Sequence, residues 1–152
     1  MDASVVSGLV GEIGIGACLG LSAIGSAAGA GAAGMAAIGA WKKCFLQNKP
    51  APFILVAFAG APLTQTIYGF ILMQTLAGAA VAGTLTGFQL LGIGIFAGGA
   101  MGASAFAQGN CAASASDAYS QTGQGFGNYM LVIGLCETVA LFVMVFSMLI
   151  AG

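Results

Sequence analysis

The residue with the clearest potential for chemistry is Glu137, which lies inside the apolar stretch GLCETVALFVMVF at residues 134–146. An unpaired carboxylate in apolar surroundings is costly, about 3 kcal/mol or more at the centre of a bilayer. It must be protonated, paired or bound to a cation. The chain has no arginine, and its three lysines all lie within residues 42–49. A permanent ion pair within the chain is therefore not expected, and a proton or a metal cation remains as the neutralising partner.

Other polar side chains lie at a similar depth in apolar segments. Glu137 follows Asn128 by nine residues and Gln108 precedes Asp117 by nine, each about 14 Å along a helix. Gln65 lies somewhat deeper in its own segment. These positions predict that the three polar side chains occupy one level of the molecule.

Thr64, Gln65 and Tyr68 share one face of a helix, since they fall within about 100° of arc. Pro62, just upstream, cannot donate to the helical ladder, so it leaves a carbonyl near residue 58 unpaired, and its ring strains the turn that contains Ala61. Together the polar groups form a set of hard oxygen donors. The set is the Ala61 carbonyl, the Thr64 hydroxyl, the Gln65 and Gln108 amide oxygens and the Glu137 carboxylate.

Oxygen ligands with one negative charge suit a monovalent cation such as Na⁺. Tyr68 can donate its hydroxyl proton to Glu137 and keep it ionised. Simpler interpretations remain open: Gln65 and Gln108 could be an interhelical hydrogen-bonded pair, Thr64 could bond back to its own helix, and Tyr68 could be a packed aromatic. A proton alone would also neutralise the carboxylate, with far fewer donors.

The composition, 59% hydrophobic and 5% charged, is that of a membrane protein. Four apolar segments each exceed the length needed to cross a bilayer, and without period-2 alternation they are expected to be helices. Their approximate bounds are residues 5–41, 51–81, 88–116 and 129–150. The N-terminus lacks the basic region of a signal peptide, so the first segment is expected to belong to the mature protein. The sequence has no stripe of basic residues of the kind that binds nucleic acid.

The four spans form an internal repeat. A shift of 78 residues aligns GIG at 14–16 with GIG at 92–94, and a shift of 72 aligns Gln65 with Glu137. The chain is therefore predicted to be two tandem helical hairpins, residues 1–82 and 83–152, which cross the membrane in the same direction. The two hairpins form an all-α membrane protein with four transmembrane helices.

The first and third spans consist mostly of Gly, Ala and Ser, which allows helix backbones to approach closely in lipid. The second and fourth spans are bulkier and are expected to form an outer layer that faces lipid. The phenylalanines of that layer are Phe53, Phe58, Phe70, Phe142 and Phe146. Small inner helices and large outer ones indicate a chain that assembles with copies of itself. The cysteines, which form no CxxC pair, are expected to be buried small hydrophobes.

Lys42, Lys43 and Lys49 all lie between the first two spans, so the loop at residues 42–50 is predicted to be cytoplasmic. Four spans then place the loop at residues 116–128 on the same side of the cell membrane. Both termini are predicted to lie outside.

The doubled hairpin, with PLTQTIYGF in the second span, AQG in the third and CETVALF in the fourth, resembles the proteolipid K (c-type) subunit of V-type rotary ATPases. The resemblance covers essentially the whole chain. It implies that identical copies form a rotor ring in the membrane and that Glu137 carries the transported ion. Gln65 fits a family whose first hairpin has lost its carboxylate.

The resemblance to the sodium-transporting branch of this family implies a ligand set and partners. Thr64, Gln65, Gln108 and Glu137 occupy the positions of its sodium ligands, and Tyr68 that of a tyrosine that hydrogen-bonds the glutamate. Ala61 stands where a larger aliphatic residue usually offers its carbonyl. The implied partners are a stator subunit that supplies an arginine and a central stalk that meets the cytoplasmic loops. ATP would be hydrolysed in other subunits, so the chain is not expected to be an enzyme alone, and no cofactor is implied.

Two alternatives remain at this stage. Within the same family, the ring could carry protons on Glu137 instead of Na⁺. From another class, the chain could be a small four-helix cation exchanger or channel. The parallel repeat and the lysine bias disfavour a dual-topology exchanger, and a channel should show polar residues at every depth.

Overall fold

A computed structural model describes residues 2–152, and over these residues the protein is helical without a strand. A 3₁₀ turn at Ala61–Leu63 joins two of the helices into one span, Leu55–Ala82. The helices are α1 (Ala3–Leu46), α2 (Leu55–Gly60), α3 (Thr64–Ala82), α4 (Gly87–Thr122) and α5 (Phe126–Ala151). The described chain has four spans long and apolar enough to cross a membrane, which confirms the predicted all-α, multi-pass architecture.

The helices extend further than their apolar segments. α1 continues past the predicted end at Trp41, and α4 continues through the polar stretch that was predicted to be a loop. The loop predicted at residues 116–128 is therefore wrong for most of its length: only Gly123–Gly125 separate α4 from α5. The reason is that polar residues end the apolar surface without ending the helix. The turn itself requires positive φ at Gly123 (66°) and Gly125 (83°).

α1 and α4 run parallel and form the most extensive helix–helix interface of the described chain. Glycines bring the two backbones into direct contact. A Cβ added at Gly25 would overlap the backbone of Gly102, and one added at Gly94 would overlap that of Gly14. By contrast, Gly16 and Gly20 on α1 have no neighbour within 4 Å. The small residues of α1 thus form one covered face and one open face.

The second and fourth spans pack against this pair and expose large apolar side chains. Phe53, Phe70, Phe142 and Phe146 are exposed, as predicted for an outer layer. Phe58 was also placed there, and that prediction is wrong because Phe58 is fully buried. Its ring packs against three aromatic side chains near the α4–α5 turn, those of Tyr119, Phe126 and Tyr129.

Apart from Glu137, which lies inside α5, the charged residues lie toward the helix ends. Lys43 in the last turn of α1 pairs with Asp117 of α4 at 2.8 Å, and both side chains are exposed. Glu12 is also exposed, and Asp2 caps the start of α1. An exposed pair of this kind contributes little stability, about 0–1 kcal/mol.

Candidate ion-binding site

The site begins at the break between α2 and α3. Pro62 has no backbone N–H, so the α-helical ladder stops there and the chain forms the 3₁₀ turn Ala61–Leu63. The backbone N–H of Thr64 donates to the Ala61 carbonyl oxygen as α3 starts. Thr64 Oγ1 donates to the same oxygen at 3.1 Å. The proline thus gathers a carbonyl and a hydroxyl at one turn of the second span.

Gln65 extends this group of oxygens toward α4. Its Oε1 accepts from the Thr64 hydroxyl at 3.2 Å, and its Nε2 donates to Gln108 Oε1 at 2.8 Å. Both glutamine side chains are fully buried. The Thr64 hydroxyl oxygen thus lies within 3.2 Å of both the Ala61 carbonyl oxygen and Gln65 Oε1.

Gln108 connects the second span to the carboxylate on α5. Its Nε2 donates to Glu137 Oε2 at 3.3 Å and to the Ile133 carbonyl oxygen at 3.1 Å. Ile133 lies one helical turn before Glu137, so the amide is held against the same face of α5. The Gln108 side chain is thereby fixed between Gln65 and Glu137.

Tyr68 completes the arrangement from α3. It lies one turn after Thr64, and its hydroxyl donates to Glu137 Oε1 at 2.6 Å. Each carboxylate oxygen of Glu137 therefore accepts a hydrogen bond. Tyr68 and Gln108 thus hold the carboxylate from two different helices, α3 and α4.

The structure thus brings all six of the predicted site residues into one connected set. Two of the simpler interpretations also describe real contacts, since Thr64 bonds back to its own helix and the two glutamines form an interhelical pair. Neither accounts for Glu137, a half-buried acid at the end of the set. In the part of the chain that the structure describes, the only salt bridge is Lys43–Asp117.

Sequence reasoning did not assign a site role to Ser104. Its hydroxyl donates to the Cys136 carbonyl oxygen at 2.6 Å and accepts from Gln65 Nε2 at 3.5 Å. Ser104 therefore ties α4 to the residue that precedes Glu137. The available signal was its position one turn before Gln108 on α4, a spacing that places both side chains on one helix face.

The cysteines divide into two groups. Cys18 and Cys44 are buried, as predicted. Cys111 and Cys136 are only partly buried, and their sulfur atoms lie 3.8 Å apart across the α4–α5 interface. This contact was not predicted, because it depends on how α4 and α5 are rotated relative to each other.

Comparison with known proteins concerns the second hairpin. Residues 91–150 match the family model that describes the C subunit of ATP synthase. The matched segment contains Gln108 and Glu137. The first hairpin lies outside the match, and no curated protein matches the chain.

Proposed function

We propose that the whole chain is a c-type proteolipid whose copies form the membrane rotor ring of a V-type rotary ATPase, and that it carries Na⁺ on Glu137. The similarity of residues 91–150 to the C subunit of ATP synthase supports the general class. The observation that carries the proposal is the connected set of polar groups that ends at Glu137, an acid in an apolar span with no side-chain cation beside it.

The ligand chemistry favours Na⁺ over a bare proton. A protonated carboxyl needs one or two hydrogen-bond partners, whereas this set offers a carbonyl, a hydroxyl and two amide oxygens on two other spans. The ligands would be the oxygens of Ala61, Thr64, Gln65, Gln108 and Glu137. For Gln108 to offer its oxygen, the ion must replace the hydrogen bond from Gln65 Nε2. Tyr68 would hold the carboxylate in place through its hydrogen bond to Oε1.

The internal repeat supports a closed assembly of copies. In one chain, Gly14 of α1 contacts Gly94 of α4. The repeat shift of 78 residues relates Gly14 to Gly92 and Gly94 to Gly16, so the equivalent contact joins Gly92 to Gly16. Within one chain, Gly92 and Gly16 both have open space around them. If a second copy follows the same rotation that relates the two hairpins, Gly92 of one copy packs on Gly16 of the next.

Cys18 also contacts Gly98 within one chain. The same rotation gives an equivalent contact between Phe96 of one copy and Gly20 of the next. Phe96 is 80% exposed, and Gly20 has nothing within 4 Å. An exposed aromatic on α4 therefore matches an open glycine on α1 of the next copy. Head-to-tail contacts of this kind generate a ring when the rotation closes.

In the proposed mechanism, Na⁺ neutralises Glu137 while the proteolipid faces lipid. A cationic side chain of a stator subunit, an arginine in rings of this type, then competes for Glu137 and releases the ion into water. Hydrolysis of ATP in other subunits turns the ring through a central stalk at the end of the molecule where α1 ends and the three lysines lie. We propose that this side is cytoplasmic and that both termini lie outside.

Carbodiimide labelling of Glu137 tests the proposal, because the reagent attacks a protonated carboxyl and a bound Na⁺ excludes the proton. The purified assembly is labelled at several pH values in NaCl or in choline chloride at equal ionic strength. We expect one labelled site per chain and slower labelling in Na⁺. The variants Glu137→Gln and Glu12→Gln identify the site. Equal labelling in both salts, at a pH where labelling is readily seen, would mean that Glu137 carries H⁺ and not Na⁺.

A further inference from the structure

We propose that Cys111 and Cys136 are an oxidation-sensitive thiol pair, which closes to a disulfide within the chain and thereby locks the α4–α5 side of the ion site. Formation of the bond does not depend on the proposed function. Its effect on the ion site rests on the proposed function.

Two thiols on different helices are already in contact. Cys111 Sγ and Cys136 Sγ lie 3.8 Å apart, and a disulfide requires about 2 Å. The sulfur atoms face each other across the α4–α5 interface, so closure requires them to approach by roughly 1.8 Å. The other two cysteines make different contacts: Cys18 Sγ donates to the Gly69 carbonyl, and Cys44 Sγ lies 4.0 Å from the Ser120 carbonyl.

A small oxidant can reach the pair from one side. An open groove of about 300 Å³ borders Cys111 between α4 and α5, with Ala115, Tyr129 and Val132 among its lining residues. The groove is open on one side and large enough to admit hydrogen peroxide, a small uncharged oxidant. Cys136 is also partly exposed.

The reaction needs one peroxide molecule. One thiol loses its proton, and its thiolate sulfur attacks a peroxide oxygen. The O–O bond breaks, a sulfenic acid forms, and the departing hydroxide takes up the proton to become water. The second sulfur attacks the sulfenic sulfur, the S–O bond breaks, and the disulfide and a second water form. The two sulfurs are oxidised, and the two peroxide oxygens are reduced to water.

The disulfide would act on two ion-site residues at once. Cys136 precedes Glu137 directly, and Cys111 lies one turn after Gln108 on α4. A covalent bond between α4 and α5 at this level restricts relative movement of the two helices at the interface where Gln108 Nε2 donates to Glu137 Oε2. Ser104 already holds the Cys136 carbonyl to α4 from the other side. Opening of the site on its α4–α5 side would then be hindered.

The first measurement uses the full chain in membranes, treated with hydrogen peroxide, alkylated and analysed by mass spectrometry. We expect a loss of two hydrogens and a peptide linkage between Cys111 and Cys136, reversed by a phosphine reductant. The double variant Cys18→Ser/Cys44→Ser should behave like the native chain. Cys111→Ser and Cys136→Ser should each abolish the linkage. Oxidation that yields only sulfinic or sulfonic acids, or only links between chains, overturns the proposal.

The second measurement compares carbodiimide labelling of Glu137 in the reduced and oxidised chains. We expect labelling to slow at least tenfold on oxidation and to recover on reduction, with no such effect in Cys111→Ser. An unchanged rate in a chain shown to carry the disulfide overturns the locking effect. If the reduced chain labels equally with and without Na⁺, the sodium assignment fails instead, and the reduced-to-oxidised comparison still decides the role of the pair.

Discussion

The Tyr68 hydroxyl oxygen lies 2.6 Å from Oε1 of Glu137, and this contact joins α3 to α5 at the level of the ion site. A hydrogen bond to a charged group contributes about 1.5–3 kcal/mol. Together with the Gln108 amide at Oε2, the contact fixes the orientation of the carboxylate. Tyr68 is therefore the residue whose removal tests the site most directly without removing a ligand.

Replacing Tyr68 by Phe should weaken Na⁺ binding by about 10-fold to 100-fold, because the ionised carboxylate loses a donor. The measurement is the Na⁺ concentration that halves the rate of carbodiimide labelling at Glu137. Tyr129→Phe is the matched control, since Tyr129 packs against Phe58 and not against the ion site. An unchanged half-protecting concentration in Tyr68→Phe would mean that the phenol is only a packed aromatic.

Thr64 offers a finer test because two substitutions separate its hydroxyl from its shape. Thr64→Val keeps the volume and removes the oxygen that lies 3.1 Å from the Ala61 carbonyl and 3.2 Å from Gln65 Oε1. We expect weaker protection by Na⁺ in Thr64→Val, by about 10-fold, and near-native protection in Thr64→Ser. Labelling without Na⁺ should stay the same in both. If Na⁺ protects Glu137 equally well in Thr64→Val and Thr64→Ser, the hydroxyl is not a ligand.

Replacing Gln108 by Leu should reduce both stability and Na⁺ protection. The change leaves the buried Gln65 amide without its partner at 2.8 Å, at a cost of about 1–3 kcal/mol. It also removes the donor to Glu137 Oε2. Thermal unfolding in detergent measures the first effect, and carbodiimide labelling measures the second. Gln74→Leu, on an exposed position of α3, should change neither.

The glycines of the α1–α4 interface should tolerate no side chain. Gly25→Ala would place a Cβ against the Gly102 backbone, and we expect a destabilisation of about 1–3 kcal/mol. Gly78→Ala is the control because Gly78 is on α3 with nothing within 4 Å. The midpoints of thermal unfolding of the two variants and the native chain are compared in the same detergent. Equal midpoints would contradict the close approach of the two helices.

Contacts between copies can be tested by cross-linking. Gly16→Cys and Gly92→Cys, introduced together into a chain with its native cysteines replaced by serine, should form disulfides between neighbouring copies. Denaturing gels should then show a ladder that stops at the number of copies in the ring. Each single variant should give dimers at most. A double variant that remains monomeric under oxidation would contradict the interface derived from the repeat.

Several features of this protein followed from its residue order because they depend on hydropathy alone. The four spans and the exceptional position of Glu137 follow from the lengths of apolar runs and from the cost of charge in lipid. Pro62 likewise indicated a break in the second span, and the structure has the 3₁₀ turn there.

Other features were decided by the tertiary structure. Which glycines of α1 are covered, the burial of Phe58 and the contact of Cys111 with Cys136 all depend on how each helix is rotated about its axis. Helices that are apolar on every side carry no polar face from which that rotation could be deduced. The full length of α4 was also missed, since a polar stretch can leave the membrane and remain helical.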